Sequence, residues 1–373
     1  MNRIFRHLIA GVLAAVIPLS IAAAPAQVAG AGVSDTYSMA DFAQVRKYDA
    51  HFHANNPDPA LLELLREDGF QVLSINVDYP DFPSIAQQHT IALALAAKDP
   101  AHFHWATTFS MKGFGTPGWA DKVDAKLAQD VASGALAVKI WKNVGLVERN
   151  AAGKLIMLDD PGLVPVVEQV RTLGMALIDH QGEPRNCWLP LDQMTTDNDR
   201  EYFSHHPDYY MYLHPEMPGY EDLMAARDRF VAVNPKLRFV GAHMASLEYD
   251  VDRLGAFLDR FPNATVDLAA RMSQVQYQSV RDREKVRNFF IRYQDRLLYG
   301  TDLTFGPDAK AEEFKREAHG AWTSDWRYLA TGETQRIDMI HADVAGLALP
   351  RAVIDKIYYA NAVRVFAVSR PAD

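Results

Sequence analysis

The sequence predicts an α/β protein folded as a (β/α)₈ TIM barrel. Short apolar segments alternate with longer amphipathic ones along residues 46–373, and eight apolar segments can be counted. Several of these segments end in histidine, lysine or aspartate, which is where TIM barrels carry their functional residues. Strands that alternate with helices form a parallel sheet, and eight such units close it into a barrel.

The N-terminal residues do not follow that alternation. A positively charged start precedes the apolar residues 8–24, and Ala-Pro-Ala at 24–26 offers small residues for cleavage. We therefore predict a signal peptide at 1–26. An uncleaved membrane anchor is the alternative, which the short apolar core and Pro18 disfavour. Residues 27–45, rich in Ala, Gly and Ser, are predicted to be a leader.

Eight apolar runs are predicted to be strands. They are residues 47–52, 70–77, 103–109, 135–140, 174–180, 237–243, 263–269 and 296–301. Between them, apolar residues recur with helical spacing, and Pro, Asp or Ser introduces many of these segments. The predicted helices are residues 58–68, 83–98, 118–132, 161–173, 220–234, 248–260 and 274–294.

Composition limits the classes of partner. The formal net charge of −9 argues against a nucleic-acid ligand. The single cysteine, Cys187, cannot form an internal disulfide. With the signal peptide removed, we expect an exported protein, periplasmic or secreted, that has no membrane segment and acts on a small-molecule substrate. The sequence leaves homo-oligomerisation open.

The first strand reads KYDAHFH from residue 47 and carries two histidines. Side chains alternate between the faces of a strand, so His51 and His53 share one face while Phe52 lies on the other. Two imidazoles on one face can bind one metal ion. Such a pair also arises by chance, so the prediction depends on further ligands at other strand ends.

Four other strand ends supply those ligands. The fourth strand, ALAVKIW, carries Lys139, and the fifth, MALIDH, ends at His180. The sixth, RFVGAH, ends at His243, and the eighth, LLYGTD, ends at Asp302. Neutral imidazoles and a carboxylate suit a divalent ion, with zinc as the first expectation, and a catalytic site keeps one position for water. Asp302 could accept a proton from that water and deliver it to a leaving group.

These residues give the chain its resemblance to a known family. It resembles the amidohydrolase superfamily, specifically the amidohydrolase-related branch that includes aminocarboxymuconate-semialdehyde decarboxylase, over residues 46–366. The matching positions are His51, His53, His180, His243 and Asp302, with the closing segment YANAVRVF at 359–366. The resemblance implies a TIM barrel of the metal-dependent hydrolase type.

The resemblance implies one or two metal ions per chain. In two-metal members a carboxylated lysine, here Lys139, bridges the ions, and His180 and His243 hold the second. In one-metal members the ligands would be His51, His53, His180 and Asp302. His243 would then contact substrate or water, which makes it a second candidate catalytic residue. Alternatively, the Lys139 ammonium binds a substrate carboxylate or pairs with Asp302 or Asp179.

Three basic residues that follow strands are predicted to bind substrate: Arg185, Lys142 and Arg271. A guanidinium can hold a carboxylate through two hydrogen bonds, although most charges in loops are simply solvated. A long insertion at 186–219 is rich in aromatic residues and histidines. It could form a wall over the pocket, or its aromatic side chains could merely pack the insertion onto the barrel.

Four functions are consistent with this pattern. The first is a metal-dependent hydrolase that uses metal-activated water on an amide, lactone or ester-like bond, and the alternative on the same scaffold is a metal-dependent decarboxylase or other lyase. Decarboxylation needs a cation near the metal, so Arg185 or Lys142 facing the pocket would favour it. A non-enzymatic binding protein on an inactive barrel would be expected to have lost some of the metal ligands, and here none is lost. A Schiff-base aldolase using Lys139 would leave four histidines unexplained.

Overall fold

The computed structural model describes residues 35–367, and in that range the predicted barrel is confirmed. Its strands are β1 Lys47–Ala54, β2 Phe70–Ile75, β3 Phe103–Thr108, β4 Ala137–Ile140, β5 Ala176–Asp179, β6 Arg238–Gly241, β7 Ala264–Asp267, β8 Leu297–Leu298 and β9 Leu303–Phe305. All of these strands pair in parallel, each with its neighbour in sequence from β1 to β8. The predicted signal peptide and residues 27–34 of the predicted leader lie outside the described residues.

The sheet closes through an eighth strand that is interrupted in its middle. β8 pairs with β7, and β9 pairs with β1 in the register Phe52↔Leu303. Across the interruption, Ala50 N donates to Tyr299 O at 2.8 Å and Asp302 N donates to His51 O at 2.7 Å. These bonds join β8 and β9 into one barrel strand that bends directly beside the first.

The α-helices of five or more residues surround this sheet. They are α1 Ala60–Asp68, α2 Ile85–Lys98, α3 Trp119–Ala132, α4 Val164–Thr172, α5 Asp197–His205, α6 Tyr220–Val233, α7 Val251–Arg260, α8 Met272–Arg281, α9 Arg283–Arg292, α10 Ala311–Ala330, α11 Arg351–Asp355 and α12 Asn361–Val365. The predicted helix 274–294 is therefore two helices. Asp282 separates them because its side chain accepts a hydrogen bond from Lys285 N at 2.9 Å and caps α9.

The barrel interior is filled by small and branched side chains. Ala50, Ile75, Ala106 and Ile178 belong to one buried cluster inside the sheet. Phe366, next to the end of α12, packs against the same cluster and fills the end of the barrel where the strands begin. The opposite end, where the strands finish, therefore holds the open mouth. Within residues 35–367, no helix is long and apolar enough to cross a membrane.

Two parts of the fold lie outside the barrel pattern. The described part of the predicted leader, residues 35–45, packs on α10: Phe42 is buried, and Trp326 Nε1 donates to Ser38 O at 3.0 Å. After the eighth strand, α10 is followed by an antiparallel hairpin of β10 Thr334–Ile337 and β11 Ala342–Ala345. The sequence pattern assigned no element to this region.

Candidate active site

His51 and His53 both lie at the mouth of the barrel, as the alternation along β1 predicts. Their Nε2 atoms lie 3.3 and 3.1 Å from the same oxygen, Asp302 Oδ1. Each ring is fixed from behind through its other nitrogen. His53 Nδ1 lies 2.7 Å from Ile75 O, and His51 Nδ1 lies 2.8 Å from Asp267 Oδ2. Both Nε2 atoms are thereby directed at one point.

The bend in the eighth strand brings Asp302 to this point. Asp302 has a φ of 69°, in the left-handed region that few non-glycine residues adopt. The buried Asp49 carboxylate supports the bend, since it accepts from Thr301 Oγ1 at 2.6 Å and Trp322 Nε1 at 3.1 Å. A Cβ on Gly300 would lie 3.0 Å from the His51 Cβ, so glycine permits this close approach.

His180 and His243 lie side by side in the same mouth, with ring centroids 4.1 Å apart, and the His243 ring lies 4.8 Å from that of His51. Burial holds the pKa of each ring well below its ordinary value, so both are neutral at neutral pH. His243 Nδ1 lies 2.9 Å from Ala269 O. Because a carbonyl only accepts, Nδ1 carries the proton and His243 Nε2 is left as an acceptor. His180 Nε2 is buried and has no hydrogen-bond partner among residues 35–367.

His243 begins a turn of unusual backbone conformation. Residues 243–246, His-Met-Ala-Ser, have φ angles of 55°, 58°, 54° and 55°, so all four are left-handed and none is glycine. Each such residue raises the conformational energy of the backbone by roughly 1–2 kcal/mol relative to a residue in the right-handed conformation. The turn persists only because contacts with the rest of the protein hold it.

Asp267 is a site residue that the sequence reasoning missed. It is the last residue of β7, and its two oxygens contact His51 and His243. Oδ2 contacts His51 Nδ1, and Oδ1 accepts from His243 N at 2.7 Å. A signal was available, because Asp267 is the only charged residue in the predicted strand 263–269.

Lys139 lies among these groups and is almost completely buried. Its Nζ is 3.4 Å from His51 Nε2. Burial lowers the pKa of Lys139 to about 8 despite the neighbouring carboxylates of Asp267, Asp302 and Asp179. Its amine is therefore more readily deprotonated than that of an ordinary lysine.

The ligand cluster opens into a cavity of about 410 Å³. Five aromatic side chains are part of its lining: Tyr79, Phe82, Trp141, Tyr202 and Phe203. The last two come from the predicted insertion. Other aromatic residues of that insertion pack elsewhere, such as Trp188 against Tyr220 with centroids 5.4 Å apart. The insertion thus contributes both a wall and a packed support, while His205 and His206 do not line the cavity.

Two of the three residues predicted to bind substrate line this cavity. Lys142 pairs with the buried Glu183 carboxylate. Arg271 has its Nη1 4.0 Å from Asp199 Oδ1, and its buried Nε has no hydrogen-bond partner among the described residues. Arg185 does not line the cavity, because its guanidinium lies over the Tyr220 ring at 5.6 Å.

The donor set fits a divalent metal ion. The ligand atoms of His51, His53 and Asp302 all lie within 4.8 Å of one another. His180 adds a neutral imidazole whose Nε2 lacks a partner among the described residues. Two imidazole nitrogens and a carboxylate oxygen, plus a third imidazole, form a donor set of the kind that zinc binds. The contacts behind His51 and His53 are those that orient metal-binding imidazoles.

This geometry predicts the effect of Asp267→Asn. The change keeps the size of the side chain but removes the charge behind His51 Nδ1. We expect the affinity for a divalent ion to fall about 10–100-fold, as it does when an outer carboxylate partner is lost. Competition with a chromophoric zinc chelator measures the affinity. Unchanged affinity would show that Asp267 does not act through His51.

Sequence and structure comparisons give related proteins. The family model described as Amidohydrolase matches residues 48–368. A 2,6-dihydroxybenzoate decarboxylase bound to 2,6-dihydroxybenzoate is 16% identical, with a TM-score of 0.50 over 86% of this chain and 98% of that chain. The 5-carboxyvanillate decarboxylase of Sphingomonas paucimobilis is 13% identical, with a TM-score of 0.47 over 87% and 100%.

A candidate 2-pyrone-4,6-dicarboxylic acid hydrolase from Pseudomonas putida is 12% identical, with a TM-score of 0.45 over 86% of this chain and 97% of that chain. No curated protein sequence matches the chain. At 16% identity, the likeness to the 2,6-dihydroxybenzoate decarboxylase shows a shared fold.

Proposed function

The chain belongs to the amidohydrolase family, and from that premise we propose that it is a metal-dependent hydrolase of a lactone, ester or amide bond in a small carboxylated substrate. One observation carries the choice of reaction. His243 Nε2 is an unprotonated acceptor in the same cavity as the converging His51, His53 and Asp302 side chains. Hydrolysis needs an acceptor for the proton of an attacking water, and this nitrogen provides one.

We assign the metal-binding role to His51, His53, His180 and Asp302. A divalent ion at this position, with zinc as our first choice, would polarise the substrate carbonyl and acidify a bound water. The chain's own residues supply the remaining steps. His243 Nε2 takes the proton of the attacking water and later returns it to the leaving oxygen or nitrogen. Asp267 holds His51 and His243 in place for these steps.

The cavity walls support a planar, anionic substrate. Tyr79 and Trp141 lie with ring centroids 4.6 Å apart, and Phe82 lies 5.1 Å from the His53 ring. Flat aromatic walls favour a flat ligand. Arg271 is the best-placed cation for a carboxylate, because Lys142 pairs closely with Glu183, whereas Arg271 approaches Asp199 only at 4.0 Å and its Nε has no partner among the described residues.

Arg271 also favours a second candidate function, a metal-dependent decarboxylase. That reaction needs a substrate carboxylate held near the metal, and a nearly buried guanidinium in the same cavity could hold it. The two reactions differ in their products. Hydrolysis adds the oxygen of water to a new carboxylate, whereas decarboxylation releases CO₂ and places a proton on carbon.

The experiment that tests the proposal is a substrate screen on metal-loaded protein in H₂¹⁸O. Lactones, amides, esters and aryl carboxylates are the compounds to screen. We expect one ¹⁸O atom in the newly formed carboxylate of the product and no release of CO₂. Release of CO₂ without ¹⁸O in the organic product would replace the hydrolase by the decarboxylase.

Lys139 allows the number of ions to be tested. We propose a single ion at the point where His51, His53 and Asp302 converge. In the other possible ligand group, His51, His243 and Asp267, both Asp267 oxygens already contact His51 Nδ1 and His243 N. Lys139→Met should therefore retain the metal content of the wild type, measured by mass spectrometry of the elements. Loss of one of two bound ions in this variant would show instead that a carboxylated Lys139 bridges a pair.

A further inference from the structure

The left-handed turn at 243–246 points to a role for a residue that does not line the cavity. The turn sets the direction of the His243 ring, yet its sequence, His-Met-Ala-Ser, contains no glycine to make this backbone favourable. Two bonds inside the turn, Ser246 N to His243 O at 3.1 Å and Leu247 N to Met244 O at 3.0 Å, are local. Local bonds of this kind also form in ordinary turns, so they do not account for the left-handed conformation.

Contacts from neighbouring elements hold the turn instead. At its first residue, Asp267 Oδ1 accepts from His243 N. At its last residue, Ser246 Oγ donates to Gln181 O at 2.8 Å, and the Tyr220 hydroxyl donates to Ser246 O. In the middle, the guanidinium of Arg227 donates from Nη1 to Ala245 O.

Arg227 is itself held rigidly. It lies on α6, is 2% exposed, and does not line the cavity of the candidate active site. Its Nη2 donates to Asp228 Oδ1 at 2.7 Å, and its guanidinium lies 4.4 Å from the centre of the Phe257 ring. Because Asp228 and the Phe257 ring hold the Arg227 guanidinium in one position, Arg227 can in turn hold the Ala245 carbonyl in place.

We infer that Arg227 is a positioning residue: by binding the middle of the left-handed turn it fixes the orientation of the His243 ring. Its effect on turnover rests on the proposed function, whereas its effect on the ring does not. With Arg227 absent, the turn can relax toward right-handed backbone and the bond between His243 Nδ1 and Ala269 O is weakened. His243 Nε2 then no longer points constantly into the cavity.

Histidine-selective ¹⁵N NMR of the purified full-length protein tests this inference, with the His243 signal assigned through His243→Asn. Arg227→Met keeps the aliphatic stem and removes the donors. We expect the His243 Nδ1–H to exchange with solvent at least about tenfold faster in this variant, because exchange reports local opening. Adding Ala245→Gly should restore slow exchange, since glycine adopts the left-handed conformation without Arg227.

Arg296→Met is the matched control. Arg296 also binds backbone carbonyls, at Ala264 and Phe261, but at the start of β7 and away from the turn. We expect it to lower the melting temperature without changing the His243 signal. If Arg227→Met does not fold, Arg227→Lys takes its place. Lysine lacks the guanidinium group but keeps the positive charge.

Two results would overturn the inference. One is slow exchange of the His243 Nδ1–H in folded Arg227→Met, and the other is the absence of a protected Nδ1–H in the wild type. Once a substrate is known, Arg227→Met should lower kcat by up to about 10²-fold with KM unchanged, as small misplacements of reacting groups do. If the NMR result holds and kcat does not change, His243 is positioned by Arg227 but is not the proton acceptor.

Discussion

Replacing His243 by asparagine is expected to lower kcat on the order of 10²- to 10⁴-fold, the usual cost of removing general acid-base catalysis. Asparagine tolerates left-handed backbone better than most residues, so the turn at 243–246 should form. It cannot, however, accept a proton from water as an imidazole Nε2 does. The bound ion should remain, because His51, His53, His180 and Asp302 are untouched.

The measurement is kcat at saturating substrate and metal, together with the metal content of the same sample. His205→Asn is the control, because His205 is an exposed histidine of the insertion that does not line the cavity. A metal-saturated His243→Asn protein that turns over at nearly the wild-type rate would remove His243 from the mechanism.

Asp302→Asn should have the second large effect. We expect it to weaken metal binding, and to lower the turnover rate mainly through that loss of metal. The change retains the left-handed φ of 69°, which asparagine also tolerates, but removes the charge that both His51 and His53 approach. We expect metal affinity to fall by more than the roughly 10–100-fold assigned to outer partners such as Asp267. Thermal stability should fall with it, since binding and folding energies are coupled in such sites.

Metal titration separates the roles of Asp302 and His243. Activity of Asp302→Asn should recover substantially at saturating metal, whereas activity of His243→Asn should not. If Asp302→Asn remains 10²- to 10⁴-fold slower at saturating metal, the proton shuttle is Asp302, as the sequence pattern suggests, and not His243.

Most of the barrel could be predicted from the sequence because its signal is local and repeated. Each apolar run followed by an amphipathic one identifies a strand and a helix without long-range information. The period of two along β1 sufficed to bring His51 and His53 to one face. The break at Asp282 was missed because a capping aspartate inside a helical pattern looks like any exposed polar residue.

The contacts between elements could not be predicted in the same way. Arg185 and Arg271 both follow strands, yet only Arg271 reaches the cavity, because Arg185 lies over Tyr220 from a different element. The left-handed turn cannot be recognised in the sequence, since no glycine marks it and its supports come from residues up to 65 positions away, such as Gln181. Tertiary contacts decide both cases.

The metal content of His180→Ala decides whether one divalent ion is bound by four side chains of this chain. We propose that His180 is one of four ligands of a single divalent ion, although its Nε2 is not part of the tight group formed by His51, His53 and Asp302. Elemental mass spectrometry of the wild type, His180→Ala and the surface control His205→Ala is the measurement. We predict that the wild type and His205→Ala retain the ion after dialysis and that His180→Ala loses it. Equal metal content in all three proteins would show that His180 is not a ligand, and no metal in the wild type would rule out the proposed site.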